Sequence, residues 1–174
     1  MVEKNSKGLV HVYTGDGKGK TTAALGLAMR AAGHDMRVIF IQFLKGQLSG
    51  EHRFVSKYHP FDIIQTSSGD TFAKPREELE KDVQLAFALA KQELLSGKYD
   101  LVVLDEIFVA VNQGLITVKE VIELLEEKPV SVELVMTGRK APPEIVQRAD
   151  FVTEMLMIKH PFNEGFSARR GIEY

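Results

Sequence analysis

The sequence contains no cysteine among its 174 residues. Disulfide bonds, thiolate metal sites and cysteine nucleophiles are therefore excluded together, and such a chain suits a reducing compartment. No apolar stretch approaches the roughly 20 residues that a membrane-spanning helix needs. The start of the chain, MVEKNSKGLV, also lacks the apolar core and cleavage site of a signal peptide. We therefore expect a cytoplasmic protein with no membrane segment.

The chain also lacks an excess of charge of either sign. Its 22 basic and 24 acidic residues leave no net field that would attract a polyanion. We therefore expect no nucleic-acid partner. Repeats, low-complexity tracts and linker-like segments are missing as well, and the length suits one domain better than two. A single domain over residues 1–174 is the expectation.

Short apolar runs alternate with amphipathic ones along the chain, and this alternation indicates the fold. Strands are predicted at 9–14, 37–43, 61–66, 99–106 and 131–138, with strand-like residues again at 150–160. Helices are predicted over 20–34, over 75–98, after Thr117 with Glu120 completing a capping box, and briefly after Pro143. The stretch from Lys45 to Pro60 is predicted to be irregular.

The predicted fold class is therefore α/β, with five or six mostly parallel strands and helices on both faces of the sheet. Ligands of such open sheets bind at the carboxyl ends of the strands. The residues of this chain that could bind a ligand or take part in catalysis all follow predicted strands.

The stretch TGDGKGKTT follows the first predicted strand and opens the first predicted helix. A phosphate-binding loop has the pattern G-x-x-x-x-G-K-[ST], but Thr14 stands at the place of its first glycine, and Gly15 follows one residue late. Backbone N–H groups freed by the three glycines would converge on phosphate oxygens. Lys20 would neutralise phosphate charge, and the Thr21 hydroxyl would reach a bound Mg²⁺ ion. A solvated Gly-rich turn is the plainer alternative.

Two further strand ends carry groups that would complete a nucleotide site. Asp105 and Glu106 end a buried strand, where a carboxylate can hold Mg²⁺ directly or through water. Thr137 and Arg139 follow another strand, where a guanidinium could clamp phosphates or could be an ordinary surface group. Arg30 lies on the predicted helix after the loop, and from the sequence alone it is expected to be a surface or packing residue. From the residues alone, the interpretation stops at an α/β domain that binds a magnesium-nucleotide complex.

The histidines and one loop aromatic carry less information. None of the histidines pairs with another at metal-ligand spacing, and a structural role is the default for His160. Phe72 would ordinarily be a loop aromatic that covers the core. No Ser-His-Asp nucleophile set is present in the sequence.

Five stretches in order, TGDGKGKTTAALGLAMRAAGH, VVLDEI, TGRKAP, ADFVTEM and KHPFNEGFSARRGIEY, closely resemble the corrinoid (cob(I)alamin) adenosyltransferases of the cobalamin-pathway type. The resemblance runs from about Gly8 to Tyr174. It implies a P-loop NTPase-like (RecA-like) fold and attack by a Co(I) corrinoid on the 5′-carbon of ATP, with release of triphosphate. It also implies Mg²⁺, a homodimer and an electron-donor flavoprotein as partner.

The resemblance assigns roles to particular residues. Lys20 and Arg139 would stabilise charge on the departing triphosphate, and Thr21 and Glu106, with Asp105 in support, would lie beside Mg²⁺. Contacts with ATP or the corrinoid are implied for Gly15, Asp16, Gly17, Lys18, Gly19, Lys20, Thr21, Thr22, Arg30, Phe72 and Arg139.

One position departs from the family's pattern, and one residue of the loop has an unexpected charge. Phe72 matches an aromatic that excludes the corrinoid's lower ligand, but Asp70 stands where a relative carries a second aromatic. Asp16 is a carboxylate inside a phosphate loop, so we expect it to turn away from the phosphates, toward the sugar end of the nucleotide. Two other classes remain open at this point: a P-loop ATPase or small-molecule kinase, and a nucleotide-sensing or corrinoid-carrying protein without turnover.

Overall fold

The structure, a computed structural model, describes residues 7–69, 71, 73–160, 165 and 167–174. Six strands and six helices follow one another along these residues. The strands are β1 (Val10–Thr14), β2 (Val38–Gln42), β3 (Asp62–Gln65), β4 (Leu101–Asp105), β5 (Glu133–Thr137) and β6 (Phe151–Glu154). The helices are α1 (Lys20–Ala32), α2 (Gly50–Tyr58), α3 (Arg76–Leu95), α4 (Ile107–Asn112), α5 (Val118–Glu127) and α6 (Pro143–Val146).

The six strands form one parallel sheet in the order β3-β2-β4-β5-β1-β6. Side chains of β2, β4 and β5 alternate between the two faces, because successive residues of a strand point to opposite sides. One face packs Phe40, Val103 and Val135 against the alanines of α1. The other packs the alternate residues of these strands against α3, α4 and α5. The α/β fold with helices on both faces is confirmed.

The capping box that the sequence predicts at the start of α5 is present. The Thr117 hydroxyl accepts a hydrogen bond from the Glu120 amide at 3.2 Å, and the Glu120 carboxylate accepts one from the Thr117 amide at 2.7 Å. This reciprocal pairing satisfies two amides that the helix start would otherwise leave free. Helix α3 likewise begins directly after Pro75, as predicted.

Two predictions of local structure are wrong in part, and one helix was missed. The stretch 45–60 is not wholly irregular, because α2 occupies 50–58. Its start is capped by Ser49, whose amide donates to His52 Nδ1 at 3.1 Å, so a histidine takes the place usually held by Glu or Gln. Helix α4 was not predicted, and β6 ends at Glu154 rather than continuing to 160. Among the described residues, no helix combines the length and apolar character needed to cross a membrane.

Candidate active site

The Gly-rich loop leads from β1 into α1, and the lysine at its end forms hydrogen bonds with the loop backbone. Lys20, only 7% exposed, donates from Nζ to the carbonyl oxygens of Gly15 at 2.7 Å and Gly17 at 2.8 Å. Burial is the main cause that lowers the pKa of Lys20, and the nearby positive charge of Arg139 lowers it further. The ammonium group therefore lies inside the curve of the loop, where it also balances the charges of Glu106 and Asp16.

The outer side of the loop packs against the backbone that follows β6. The Gly17 amide donates to the Met155 carbonyl oxygen at 2.7 Å. A Cβ atom on Gly15 or Gly17 would lie 2.5 or 2.6 Å from that oxygen, closer than real side chains approach. Two of the loop glycines are thus required by close packing against residues 155 and 156. From the sequence, these glycines were expected only to bind phosphate.

Asp105 lies at the centre of a buried hydrogen-bond network at the carboxyl ends of the strands. Its side chain is completely buried, and Oδ1 accepts from the hydroxyls of Thr137 at 2.7 Å and Thr21 at 3.0 Å. Its Oδ2 accepts from Lys45 Nζ at 3.0 Å and from Gln42 Nε2 at 3.1 Å. The carboxylate therefore ties together β2, β4, β5 and the start of α1.

Lys45 and Gln42 were missed by the sequence analysis. Gln42 ends β2, and Lys45 lies three residues further on, with Nζ also 3.8 Å from Glu51 Oε1 at the start of α2. Because β2 and β4 are neighbours in the sheet, the end of β2 meets the Asp105 carboxylate. Their position could have identified them, because both residues lie at the end of a predicted strand and ligand sites of this fold form at strand ends.

Glu106 follows Asp105 in a left-handed backbone conformation, with φ of 63°, at the start of α4. Its amide donates to the Thr137 hydroxyl at 3.0 Å. Burial is the main cause that raises the pKa of Glu106, and the neighbouring charge of Asp105 raises it further. A nearby cation would stabilise its charged form.

The residues that were predicted to lie beside Mg²⁺ meet at this edge of the sheet. Thr21 is hydrogen-bonded to Asp105, and Glu106 is the next residue of the chain. A hydroxyl and two carboxylates are oxygen donors of the kind that Mg²⁺ prefers, and Mg²⁺ commonly keeps several waters. Within the part of the chain that the structure describes, no cluster of three or more carboxylate or imidazole groups could hold a metal alone. The donor set therefore fits an ion that is also bound by phosphates.

Arg139 follows β5 and faces the loop across a cavity. Its Nε lies 3.9 Å from Asp16 Oδ1, and both side chains are more than half exposed. The Arg139 carbonyl oxygen accepts from Asn112 Nδ2 at 2.9 Å, which fixes the backbone at this point. The structure thus brings together the loop, Arg139 and the Asp105–Glu106 pair, whose separate strand ends the sequence analysis had singled out.

Two of the cavities that meet at this site share three side chains. The first, of about 600 Å³, is lined by loop residues from Asp16 to Thr22 and by Lys45, Glu106, Arg139 and the segment 171–174. The second, of about 710 Å³, shares Lys45, Glu106 and Arg139 with the first and is otherwise lined by residues such as Leu79 and Val109. Two ligands could therefore lie side by side, with the three shared side chains between them.

One predicted site residue lies elsewhere. Arg30 lines a different depression, beside Tyr13 and Met29 on the outer part of α1, and not the cavity at the loop. Lys18 does line the cavity at the loop, where its Nζ donates to Glu173 Oε1 at 3.1 Å. Phe72 and Asp70 lie outside the described residues, so the predictions made for them are unchanged.

The fold and site together define a class of protein. The sheet is parallel, a Gly-rich loop with a lysine inside it follows β1, and a buried aspartate ends a nearby strand. These features are consistent with P-loop NTPase-like α/β proteins. Comparison with known proteins narrows the class. The family model described as ATP:corrinoid adenosyltransferase BtuR/CobO/CobP matches residues 6–174, and the chain belongs to this family.

Curated relatives agree with this assignment. A corrinoid adenosyltransferase of Sinorhizobium sp. is 38% identical over 175 residues, which cover 98% of this chain and 82% of the relative. Proteins of the same name from Pseudomonas aeruginosa and Escherichia coli K12 are each 34% identical, over 98% of this chain and 86% and 88% of their own lengths. The resemblance stated from the sequence motifs is confirmed.

Proposed function

We propose that this chain transfers the 5′-deoxyadenosyl group of ATP, bound as its magnesium complex, to the Co(I) centre of a reduced corrinoid. The observation that carries the proposal is family membership over residues 6–174. The site supports it, because one cavity is lined by the loop and a second adjoins it across Lys45, Glu106 and Arg139. One cavity would hold ATP and the other would hold the corrinoid, which fits a reaction between two large substrates.

The proposed reaction is a displacement at carbon. An electron pair of Co(I) forms a bond to C5′ of ATP, the C5′–O bond breaks, and its electron pair leaves on triphosphate. Cobalt is formally oxidised from Co(I) to Co(III). No proton is transferred, so the protein needs neither a general base nor a water nucleophile.

The protein's part is therefore electrostatic. Negative charge accumulates on the departing triphosphate, and preorganised cations lower the barrier most where such charge develops. We assign this role to Lys20 and Arg139, which approach the cavity from the loop and from the end of β5. Mg²⁺, where bound, would supply further positive charge to the phosphates. Thr21 and Glu106, with Asp105 behind them, would hold and orient that ion.

The remaining expectations are proposals that rest on the resemblance and the composition. They are a homodimer, a flavoprotein that supplies the electron to the corrinoid, a cytoplasmic location and a single domain over residues 1–174. The contacts of Asp16, Arg30 and Phe72 with the substrates also stay predictions.

The test is a product analysis. Incubation with ATP, Mg²⁺ and a chemically reduced corrinoid should yield triphosphate and a light-sensitive cobalt–carbon product in equal amounts. Phosphate and ADP without an alkylated corrinoid would instead support an ATPase or kinase.

Substitution of Lys20 separates the enzyme from a carrier. Lys20→Ala should lower the rate by about 100-fold or more, the typical effect of removing one electrostatic stabiliser of a transition state. Corrinoid binding should change little. Lys119→Ala, at an 85% exposed side chain on α5, is the matched control and should behave as wild type. Equal losses of rate and corrinoid binding in Lys20→Ala would favour a carrier, and circular dichroism would verify that the variant folds.

A further inference from the structure

The residues from Arg169 to Tyr174, here called the 169–174 turn, close on themselves through backbone and side-chain bonds. The Gly171 amide donates to the Tyr174 carbonyl oxygen at 2.7 Å, and the Glu173 amide donates to the Arg169 carbonyl oxygen at 2.9 Å. The Glu173 carboxylate accepts from the Arg169 amide at 2.7 Å and from its guanidinium at 3.0 and 3.2 Å. These bonds lower the pKa of Glu173 to about 2, so it carries its charge at any physiological pH.

One ion pair ties this turn to the Gly-rich loop. Lys18 Nζ donates to Glu173 Oε1 at 3.1 Å, and only 27% of the Glu173 side chain is exposed. Lys18 lies between Gly17 and Gly19, which both line the first cavity. Glu173 therefore connects the loop to a segment about 155 residues further along the chain.

The first cavity has two chemically different parts. The loop amides, Lys20 and Arg139 offer hydrogen-bond donors and positive charge, which suit phosphate oxygens. Among the described residues that line this cavity, the large apolar side chains are Leu25, Ile172 and Tyr174. Two of these three belong to the 169–174 turn.

The apolar side chains of the turn are exposed within the cavity wall. Ile172 is 59% and Tyr174 54% exposed, although both are large and hydrophobic. A purine base has two apolar faces and stacks well on an aromatic ring. A cavity that holds the triphosphate at its charged part would therefore place the nucleoside against these side chains.

We propose that the 169–174 turn forms the wall that binds the adenosine part of ATP, with Tyr174 and Ile172 contacting the base. Glu173 is a positioning residue, which acts by fastening the turn to the loop through Lys18. The inference rests on the proposed function, since it takes ATP as the ligand. It adds a binding segment and a specificity element to which the sequence analysis gave no role in the site.

The experiment compares two ligands that share phosphates but not the nucleoside. Dissociation constants for MgATP and for magnesium tripolyphosphate are measured by calorimetry on wild type, Tyr174→Ala and Tyr174→Phe. Loss of one aromatic–base stack should raise the dissociation constant for MgATP about tenfold. Binding of tripolyphosphate should not change, and Tyr174→Phe should bind MgATP as wild type does.

Two outcomes would overturn the inference. Equal weakening of MgATP and tripolyphosphate in Tyr174→Ala would mean that the turn only supports the loop. Unchanged MgATP binding would mean that the nucleoside lies elsewhere. Because binding is measured without the corrinoid, these outcomes are independent of whether the wild-type protein makes an adenosylcorrinoid.

The role of Glu173 is tested by a double-mutant cycle with Lys18. Glu173→Gln should raise the KM for ATP with little change in kcat, because it loosens the nucleoside wall and leaves the charged part of the cavity intact. Combined with Lys18→Met, it should raise the dissociation constant for MgATP no more than the larger single effect, since both substitutions break the same link. Fully additive effects would show that Glu173 does not act through Lys18.

Discussion

Replacing Asp105 by asparagine should destabilise the protein by about 3 kcal/mol, the scale for removing one partner of a buried, hydrogen-bonded charge pair. The carboxylate is fully buried and accepts four hydrogen bonds. An asparagine has the same shape but must place an NH₂ group where one carboxylate oxygen was. The consequence depends on which oxygen is replaced.

At the Oδ2 position, the new NH₂ group would face Lys45 Nζ and Gln42 Nε2, which are both donors. At the Oδ1 position it would face the Thr21 and Thr137 hydroxyls, which can rotate and accept. We therefore expect the NH₂ group at the Oδ1 position. Lys45 then keeps a neutral oxygen as partner and, at 3.8 Å, the carboxylate of Glu51. The two bonds at the Oδ2 position lose their charge assistance, and the Thr21 and Thr137 hydroxyls, which would then accept, lose the acceptor of their own hydrogens.

The measurement is the free energy of unfolding in urea, followed by circular dichroism. Asp100→Asn is the matched control, because Asp100 precedes the same strand but pairs with Arg37 at the surface, 41% exposed. That pair should contribute at most about 1 kcal/mol. A loss of less than about 1 kcal/mol in Asp105→Asn, on the scale of an exposed pair, would refute the reasoning. It would mean that relief of the repulsion between Asp105 and Glu106 offsets the lost bonds.

Two further predictions concern stability. Burial lowers the pKa of His52, so the folded state takes up a proton at lower pH than the unfolded chain does. The contribution of neutral His52 to the free energy of unfolding should therefore be fully present above the unfolded pKa of about 6.5. It should be lost as the pH falls from that value toward the lower pKa of the folded state. His52→Asn, which can still accept from Ser49, should flatten this dependence in urea unfolding, and an unchanged slope would contradict the assignment. Gly17→Ala should cost about 2 kcal/mol, because its Cβ would lie 2.6 and 2.7 Å from the carbonyl oxygens of Met155 and Leu156. Gly26→Ala, where a Cβ meets nothing within 4 Å, should instead be neutral or stabilising by the same measurement.

The strands and long helices were predictable, because they show in the spacing of apolar residues along the sequence. The contacts that depend on the order of the strands in the sheet were not predictable. Buried strands and long amphipathic helices carry their signal within a few residues. The order β3-β2-β4-β5-β1-β6 is not that of the chain, so nothing local shows that the end of β2 lies beside Asp105. Lys45 was missed for this reason. Helix α2 was missed because its capping residue pairs with a histidine.

Arg30 lies apart from the cavity at the loop. Arg30 lies ten residues after Lys20 in the same helix, which corresponds to about 15 Å along the axis at 1.5 Å per residue. Its side chain lies beside Tyr13, at a depression separate from the cavity at the loop. A contact with a ligand in that cavity would have to come from a part of the ligand that extends beyond it, or from a different arrangement of the side chain.

The residue that departs from the usual loop pattern has a structural use of its own. Thr14 stands where the first glycine is expected, and its hydroxyl accepts from the Ala141 amide at 3.0 Å while its carbonyl oxygen accepts from the Met155 amide at 2.9 Å. A glycine would lose the first of these bonds, which connects β1 to the segment carrying Arg139. Because Thr14 is the last residue of β1, the left-handed turn is deferred to Gly15, with φ of 92°. The glycine therefore comes late because β1 is extended by one residue, whose bonds hold the segments of Ala141 and Met155 in place. The conformation of the loop that follows depends on these two segments as much as on its own sequence.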